Sequence, residues 1–519
     1  MIGNRYNVNS VTYYFRKLNR TTVLLSVFFL IAIALRSLSI NKELSDLLYC
    51  DEEIYQSELK RIIDQGSYNT KVFFSGGLNF ILFIPIFKLI SLFQSSISND
   101  QILLLARFLF PVILSSLTVF SIYLLTQLLT KNKKTPILAS LLYAIAAYPV
   151  SQSHIYYPDS YSVFFGTLIM YSIIKYSILE KSKVTFMAIT ISLGLSVKYT
   201  FICFMLSAIL AIFIKSFTNK IGTVNSLIRI LNLLFQIIIF SSVLNYSIFF
   251  HPLNFFFDFA ANLANYDRPI GNSISTHLFY TLSIILIPLG LSGIVLFLLS
   301  FYFTIKQKTI TLNKLIFLSP FFTFLLFMST GNLGSVRNIN MLLFIPFIVF
   351  AFGIIKLSEI KSTFGIYFAI LMIFTVLSQS FYLVLQTLRQ DARHQATEWV
   401  NENIPNAEKI GINPGCGYKL LANKDYQMFY DQWIENDYDY YVFDMNWANT
   451  KFYSEYSRNS WYLEFNPNYV SYYHGHNLLP ASAFEFNGIN RNFAKYIPKG
   501  YNFKIFSGYG PDVIVLTRE

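Results

Sequence analysis

Apolar runs recur along the first 385 residues, each closed by a short polar turn. They are Thr22–Ile40, Leu104–Leu129, Pro136–Val150, Ser160–Ile178, Val184–Val197, Tyr199–Ile214, Leu227–Phe249, Thr276–Thr304, Leu315–Thr330, Asn338–Ile355 and Phe364–Leu385. About 20 residues rising ~1.5 Å each cross a ~30 Å hydrocarbon core. The runs therefore predict about eleven transmembrane helices, with Pro136–Val150 and Val184–Val197 short for a crossing. A further run, Leu78–Phe93, reaches only ~24 Å at that rise and contains Lys88. It reads as a surface helix, because a crossing there would put Lys131, Lys133 and Lys134 on the wrong side.

The turns alternate in chemistry. Arg5, Arg16, Lys17 and Arg20 precede the first run, and lysines at 131–134, 181–183, 215–220, 306–314 and 356–361 follow every second run. Cytoplasmic turns carry the excess of Lys and Arg, so the N-terminus is expected in the cytoplasm. An odd number of crossings then puts everything after about Arg389 outside. From Gln390 to Glu519 the apolar runs shorten and Gly, Pro, Asn and Tyr become frequent. Ala392–Asn403 has helical spacing and stops before Pro405, while Lys409–Asn413, Tyr438–Asp444 and Asp512–Thr517 read as strands. The expected fold is mainly α: a polytopic helix bundle (residues 1–388, with a first outer loop at 41–103) and an extracytoplasmic α/β domain (residues 389–519).

Composition agrees with a multi-pass protein of the cell (inner or plasma) membrane. The 519 residues are 54% hydrophobic and 13% charged, against about 25% charged in soluble domains. The net charge of +12 sits in the short turns, so it reports topology and not nucleic-acid binding. Thr22–Ile40 is too long for a cleaved signal segment. Cys50, Cys203 and Cys416 are odd in number and widely spaced, which argues against a disulfide framework or a zinc site.

Candidate chemistry concentrates at the outer ends of the runs. The stretch Tyr49–Gly66 follows the first run and opens with Asp51, Glu52 and Glu53, where unpaired carboxylates beside hydrocarbon are costly. Ile54, Tyr55, Leu59, Ile62 and Ile63 share one helical face, with Glu58, Lys60, Arg61 and Asp64 opposite, the pattern of an interfacial helix. Arg107 opens the next run, Asp159 follows Pro158, and Lys198 closes LGLSVK. His251, Asp258, Asp267 and Arg268 lie in a later outer loop, and Arg337 precedes Asn338. Carboxylates gathered near several cations suit binding of an anionic phosphate and deprotonation of a hydroxyl. Taken singly, the acids suit helix caps, Asp159 suits a turn, and the cations suit snorkelling to headgroups.

The order of these features resembles the GT-C superfamily of integral-membrane glycosyltransferases, particularly the protein mannosyltransferase and aminoarabinose transferase branch. The residues that carry it are the acidic pair after the first run, the Ala106-Arg107 start of the next, Asp159 before FFGTL, and GLSVK ending at Lys198. The segment Arg337–Pro346 and the Ala396–Pro405 tail opening complete the order. The resemblance implies a polyprenyl-phosphate-linked sugar donor, a lipid, glycan or protein acceptor, and inverting transfer at the outer face of the bilayer. It implies Asp51 as base with Glu52 as partner, Asp159 as the second-loop acid, and Lys198, Arg337 and Arg107 near the donor phosphate. His251 and Tyr55 are expected to contact donor or acceptor. Metal dependence stays open, with Asp51, Glu52 and Asp159 as ligands if a divalent ion binds. Phe74–Phe80 (FSGGLNF) stands where the aminoarabinose branch has an acid-Lys-Pro-Pro segment, which argues against lipid A as acceptor. The rival readings are an O-antigen ligase or polymerase, which would place its cations in one late loop, and a lipid-linked saccharide transporter. The transporter would need repeats and polar residues at mid-bilayer, and neither is visible.

Overall fold

The computed structural model describes residues 8–38, 40–41, 50–65, 76–91, 98–179, 183–265, 298, 302, 312–330, 340–360, 362–387, 392–405, 408–413, 426–428, 438–444, 501–506 and 513–518. Among the described residues, six helices are long and apolar enough to cross a membrane: Arg20–Ser37, Asn99–Leu129, Pro158–Ile178, Tyr199–Thr218, Thr223–Leu244 and Asn340–Glu359. They match six of the expected crossings. Lys134–Ile145, Val184–Leu195, Leu312–Leu326 and Thr363–Ser378 are apolar but shorter, and Thr276–Thr304 lies outside the described residues except for Leu298 and Tyr302. Leu78–Ile81 and Phe83–Ser91 are helical with a turn at Leu82 between them, and this run too is shorter than the six.

Local sequence explains the irregular points. Asn99–Arg107 starts on a capping box in which the Ser98 hydroxyl accepts from the Gln101 N–H and Gln101 reaches back to the Ser98 N–H. Immediately after Arg107 the helix opens into a π-helical stretch, Phe108–Leu114, before resuming as Ser115–Leu129. Pro111 lies inside it and has no N–H to offer the carbonyl of Arg107, so the ordinary ladder cannot close there. Pro136–Val150 is likewise not one helix. Lys134–Ile145 ends at Ala146, which is extended (ψ 134°), and Ala147–Gln152 follows as a separate turn of helix.

Arg36, fully buried, fills the break. Its guanidinium donates to the carbonyls of Tyr143 (3.3 Å) and Ala144 (3.0 Å), to its own Ala32 carbonyl and to Ser115 Oγ, and lies over the Tyr143 ring. These are the carbonyls a helix C-terminus leaves without partners, and a cation there suits the helix dipole.

Pro158–Ile178 begins with Pro at its first position and Asp159 in its first turn, both favourable at a helix N-terminus. It packs centrally, against Ser115–Leu129, Val184–Leu195 and Phe204–Thr218. Gly166 admits the Met341 backbone: a Cβ there would stand 1.9 Å from the Met341 carbonyl oxygen.

The C-terminal residues form a five-stranded sheet, with β1 Ile410–Asn413, β2 Tyr426–Met428, β3 Tyr440–Asp444, β4 Tyr501–Phe506 and β5 Val513–Arg518. The order is β2-β1-β3-β5-β4, parallel at β2-β1 and β1-β3 and antiparallel at β3-β5 and β5-β4. Ala396, Val400 and Ile404 of helix Ala392–Asn403 bury against Ile410, Ile412, Val442 and Val515. The expected helix and three strands are present; β2 and β4 are additional. Tyr438 and Tyr441 are buried and pack edge to face at 5.3 Å, as packing aromatics.

Gly166→Ala should lower the thermal midpoint of the detergent-solubilised protein, since forced overpacking costs about 1–3 kcal/mol. An unchanged midpoint would mean that Pro158–Ile178 and Met341 do not approach as described.

Candidate active site

The helix Cys50–Gln65 delivers Glu52 into the protein, where it is 1% exposed. Its two carboxylate oxygens accept from Arg107 Nε and Nη2, both at 2.7 Å, and Oε1 also accepts the Tyr156 backbone N–H at 2.7 Å. Arg107 Nη1 donates to the Ile40 carbonyl at 3.0 Å. A buried ion pair survives its desolvation only when the geometry is bidentate and the remaining donors are used. Both conditions hold here. The pair joins the end of the first crossing, the first-loop helix, the start of the second crossing and the loop before Pro158.

A second set of bonds continues from Tyr156. Burial, and after it the Glu52 carboxylate, push the Tyr156 hydroxyl pKa up, so it stays protonated and donates to the Asn79 carbonyl at 2.9 Å. Asn79 Nδ2 donates to the carbonyls of Gly76 and Val197, and its Oδ1 accepts from Tyr161. The Gly76 and Leu78 N–H groups donate to the Val197 and Ser196 carbonyls. The Gly77 N–H donates to Asn245 Oδ1 at 2.7 Å, and Asn245 Nδ2 donates to Ser196 Oγ. A Cβ on Gly76 would fall 2.0 Å from the Ser196 carbonyl oxygen, so only glycine permits this approach. The segment from Gly76 to Phe80 is thereby held beside Lys198. Lys198 Nζ donates to Asp159 Oδ1 at 2.5 Å, with Asp159 buried and Lys198 partly open. Asn340 Nδ2 donates to the Asp159 carbonyl at 3.1 Å.

Four of the sequence candidates, Glu52, Arg107, Asp159 and Lys198, are thus drawn into one connected network across Tyr156–Asp159. The side chains of Asp51 and Glu53 and all of Asp267, Arg268 and Arg337 lie outside the described residues; Asp51 itself is the second residue of its helix. Asn340, three positions after Arg337, stands at the Asp159 carbonyl. His251 lies half-buried between Ser247–Phe250 and Pro252–Asn265. Phe255 on the latter helix packs edge-on against Tyr199, beside Lys198.

Two expectations need correction. Tyr55 is 1% exposed, its ring enclosed by Phe80, Tyr156 and Tyr157, so it is a packing residue at the core of the network and not an open ligand contact. Glu58 is not on the solvated face of its helix; it is buried and bidentate with Arg61 at 2.8 Å. The geometry also gives Arg107 an internal partner, Glu52. Among the described residues no group of three His, Cys, Asp or Glu side chains is placed to hold a metal ion. Glu52 and Asp159 each face a cation of the chain, and the side chain of Asp51, the third candidate ligand, lies outside the described residues. Cys203 is a buried free thiol.

The residues that pattern reading missed are Asn79, Tyr156, Asn245 and Asn340. For the three asparagines a single amide at the end of an apolar run was the only signal, and Tyr156 was one tyrosine among many.

Residues 23–261 match the family model described as dolichyl-phosphate-mannose-protein mannosyltransferase, a GT-C family, and every described site residue except Asn340 falls inside that range. The resemblance to GT-C enzymes stands on this match. No curated protein matches the chain. Among solved structures, the chain is similar to the Archaeoglobus fulgidus oligosaccharyltransferase in complex with Zn and sulfate, at 15% identity over 83% of this chain and 69% of that one, TM-score 0.48. It is also similar to ArnT from Cupriavidus metallidurans bound to undecaprenyl phosphate, at 9% identity over 96% and 98%, TM-score 0.48.

Arg107→Met and Glu52→Gln should each lower stability by about 3–5 kcal/mol, because each strands a buried group. The double variant should lose much less than the sum. Additive losses in thermal unfolding of the purified protein would contradict the pairing.

Proposed function

From the match of residues 23–261 to the protein mannosyltransferase family, we propose that this chain is a GT-C membrane glycosyltransferase. It moves a sugar from a polyprenyl-phosphate donor to an acceptor hydroxyl at the extracytoplasmic face, with inversion. The observation that carries this reading is the buried network in which Glu52 and Arg107 hold the start of the first-loop helix against the loop bearing Asp159, whose partner is Lys198.

In the proposed site Asp51, next to the clamped Glu52, is the general base. It takes the acceptor proton as the acceptor oxygen forms a bond to the anomeric carbon. The bond from that carbon to the phosphate oxygen breaks on the opposite side, and the polyprenyl phosphate leaves with the bonding electrons. Lys198, partly open and oriented by Asp159, neutralises the charge that grows on the departing phosphate. Arg337 is proposed as a second cation there, a role supported by the position of Asn340 at the Asp159 carbonyl. Arg107 acts through Glu52 as a positioning residue. The lipid tail needs no aqueous route, since the helices around it are exposed as apolar surface (for example Leu206, Ile202 and Phe213). The proposal of an outward face is supported by lysines gathered at the other end of the bundle: Asn132 bonds to Glu359, which pairs with Lys356, while Lys314 and Lys356 share the Phe352 ring.

Asp51→Asn should cut transfer at least about 100-fold while the protein inserts and accumulates normally. The assay is transfer of a labelled sugar from a polyprenyl phosphate in membranes, with the sugar and acceptor identified by mass spectrometry of surface glycans in a deletion strain. Full activity of Asp51→Asn would remove it as the base.

A further inference from the structure

A cavity at the lysine end of the bundle has no part in the network above. It is a groove of about 800 Å³ between the helices Val8–Ser37, Ser115–Leu129 and Lys134–Ile145. Its floor and wall are apolar, formed by Leu25, Phe120, Leu124, Leu128 and Ile137. Its mouth is polar and basic, with Lys131 and Lys133 lining it, both exposed. From Arg107 to Thr130 one continuous helical path rises about 35 Å, so the groove lies about a membrane thickness away from the Glu52–Arg107 pair.

The turn that carries these lysines is built. The Asn132 N–H donates to Thr130 Oγ1 at 3.2 Å, Asn132 Oδ1 accepts the Lys134 N–H at 2.8 Å, and Asn132 Nδ2 donates to Glu359 at 3.0 Å. Glu359 is paired with Lys356 at 2.7 Å, whose hydrogen bond lowers its pKa. The Glu359 carboxylate is therefore occupied, and the groove mouth keeps its positive charge. An apolar trough that ends in two exposed lysines on a held turn is complementary to an acyl chain joined to an anionic phosphate. A soluble anion would use only the mouth, and a zwitterionic lipid would bring a cation of its own against the two lysines.

We propose that this groove seats an anionic phospholipid, with an acyl chain along Leu25, Phe120, Leu124 and Leu128 and its phosphate between Lys131 and Lys133. The site is separate from the proposed donor site, and its occupancy does not depend on transfer activity.

Native mass spectrometry of the delipidated full-length protein, titrated with phosphatidylglycerol or phosphatidylcholine, tests this directly. Phosphatidylglycerol should bind in preference, and Lys131→Gln combined with Lys133→Gln should weaken it roughly 30-fold at low salt, since each juxtamembrane lysine contributes about a fivefold factor. Leu124→Trp, which fills the trough and leaves the lysines, should weaken both lipids. Lys88→Gln, remote from the groove, should change neither. Equal binding of the two lipids, or an unchanged double lysine variant, would overturn the proposal. So would displacement of the lipid by inorganic phosphate alone, or a lysine-dependent preference for polyprenyl phosphate over phosphatidylglycerol.

Discussion

The Glu52 carboxylate, shared between the Arg107 guanidinium and the Tyr156 N–H, is the interaction on which the rest of the site depends. An ionised carboxylate at 1% exposure is tolerated only if its charge and its lone pairs are matched. Matching them forces three distant parts of the chain to one point. The first-loop helix can take only the pose that brings Glu52 to Arg107. The second crossing must begin where Arg107 can also reach the Ile40 carbonyl, and the loop before Pro158 must turn its Tyr156 N–H inward. Asp159 follows three residues later, already aimed at Lys198. The π-helical opening after Arg107 falls where helix regularity would otherwise compete with that pose.

Around this point polar side chains complete the bundle at both of its ends. At one end, buried side chains take up backbone groups that short or broken helices leave over: Arg36 at the Tyr143 and Ala144 carbonyls, Asn79 at Val197, Asn245 at the Gly77 N–H, Asn340 at Asp159. At the other end lysines do so, as where Lys215 caps the Tyr176 and Leu179 carbonyls. In hydrocarbon an unmet peptide group costs several kcal/mol. Helices that stop short of the full membrane thickness can therefore persist only because these side chains complete them. Those same interruptions expose the loops that carry the candidate chemistry.

This explains what the sequence made legible. Long apolar runs, such as Asn99–Leu129 and Pro158–Ile178, announce themselves by composition, and Glu52, Arg107, Asp159 and Lys198 were visible because charge beside an apolar run is rare. Their pairing was not visible, since bonds such as Glu52–Arg107 and Asp159–Lys198 span long stretches of chain with no periodic signature. Tyr55 looked like one more aromatic on an amphipathic face, and only the fold reveals that Phe80, Tyr156 and Tyr157 surround it. The break at Ala146 was hidden because Ala146 and Ala147 are good helix formers; tertiary contacts overrode propensity. Strands β2 and β4 were missed because three to six residues amid Gly- and Tyr-rich sequence carry too little alternation.

The most direct measurement is an experimental density map of the protein with a polyprenyl phosphate bound. The phosphate should lie within hydrogen-bond distance of Lys198 Nζ, with Arg107 still bidentate on Glu52 and the Asp51 carboxyl opening into the same cavity. A phosphate seated on Arg107 with Glu52 swung away would contradict it, as would a phosphate resting only at the lysine end of the bundle.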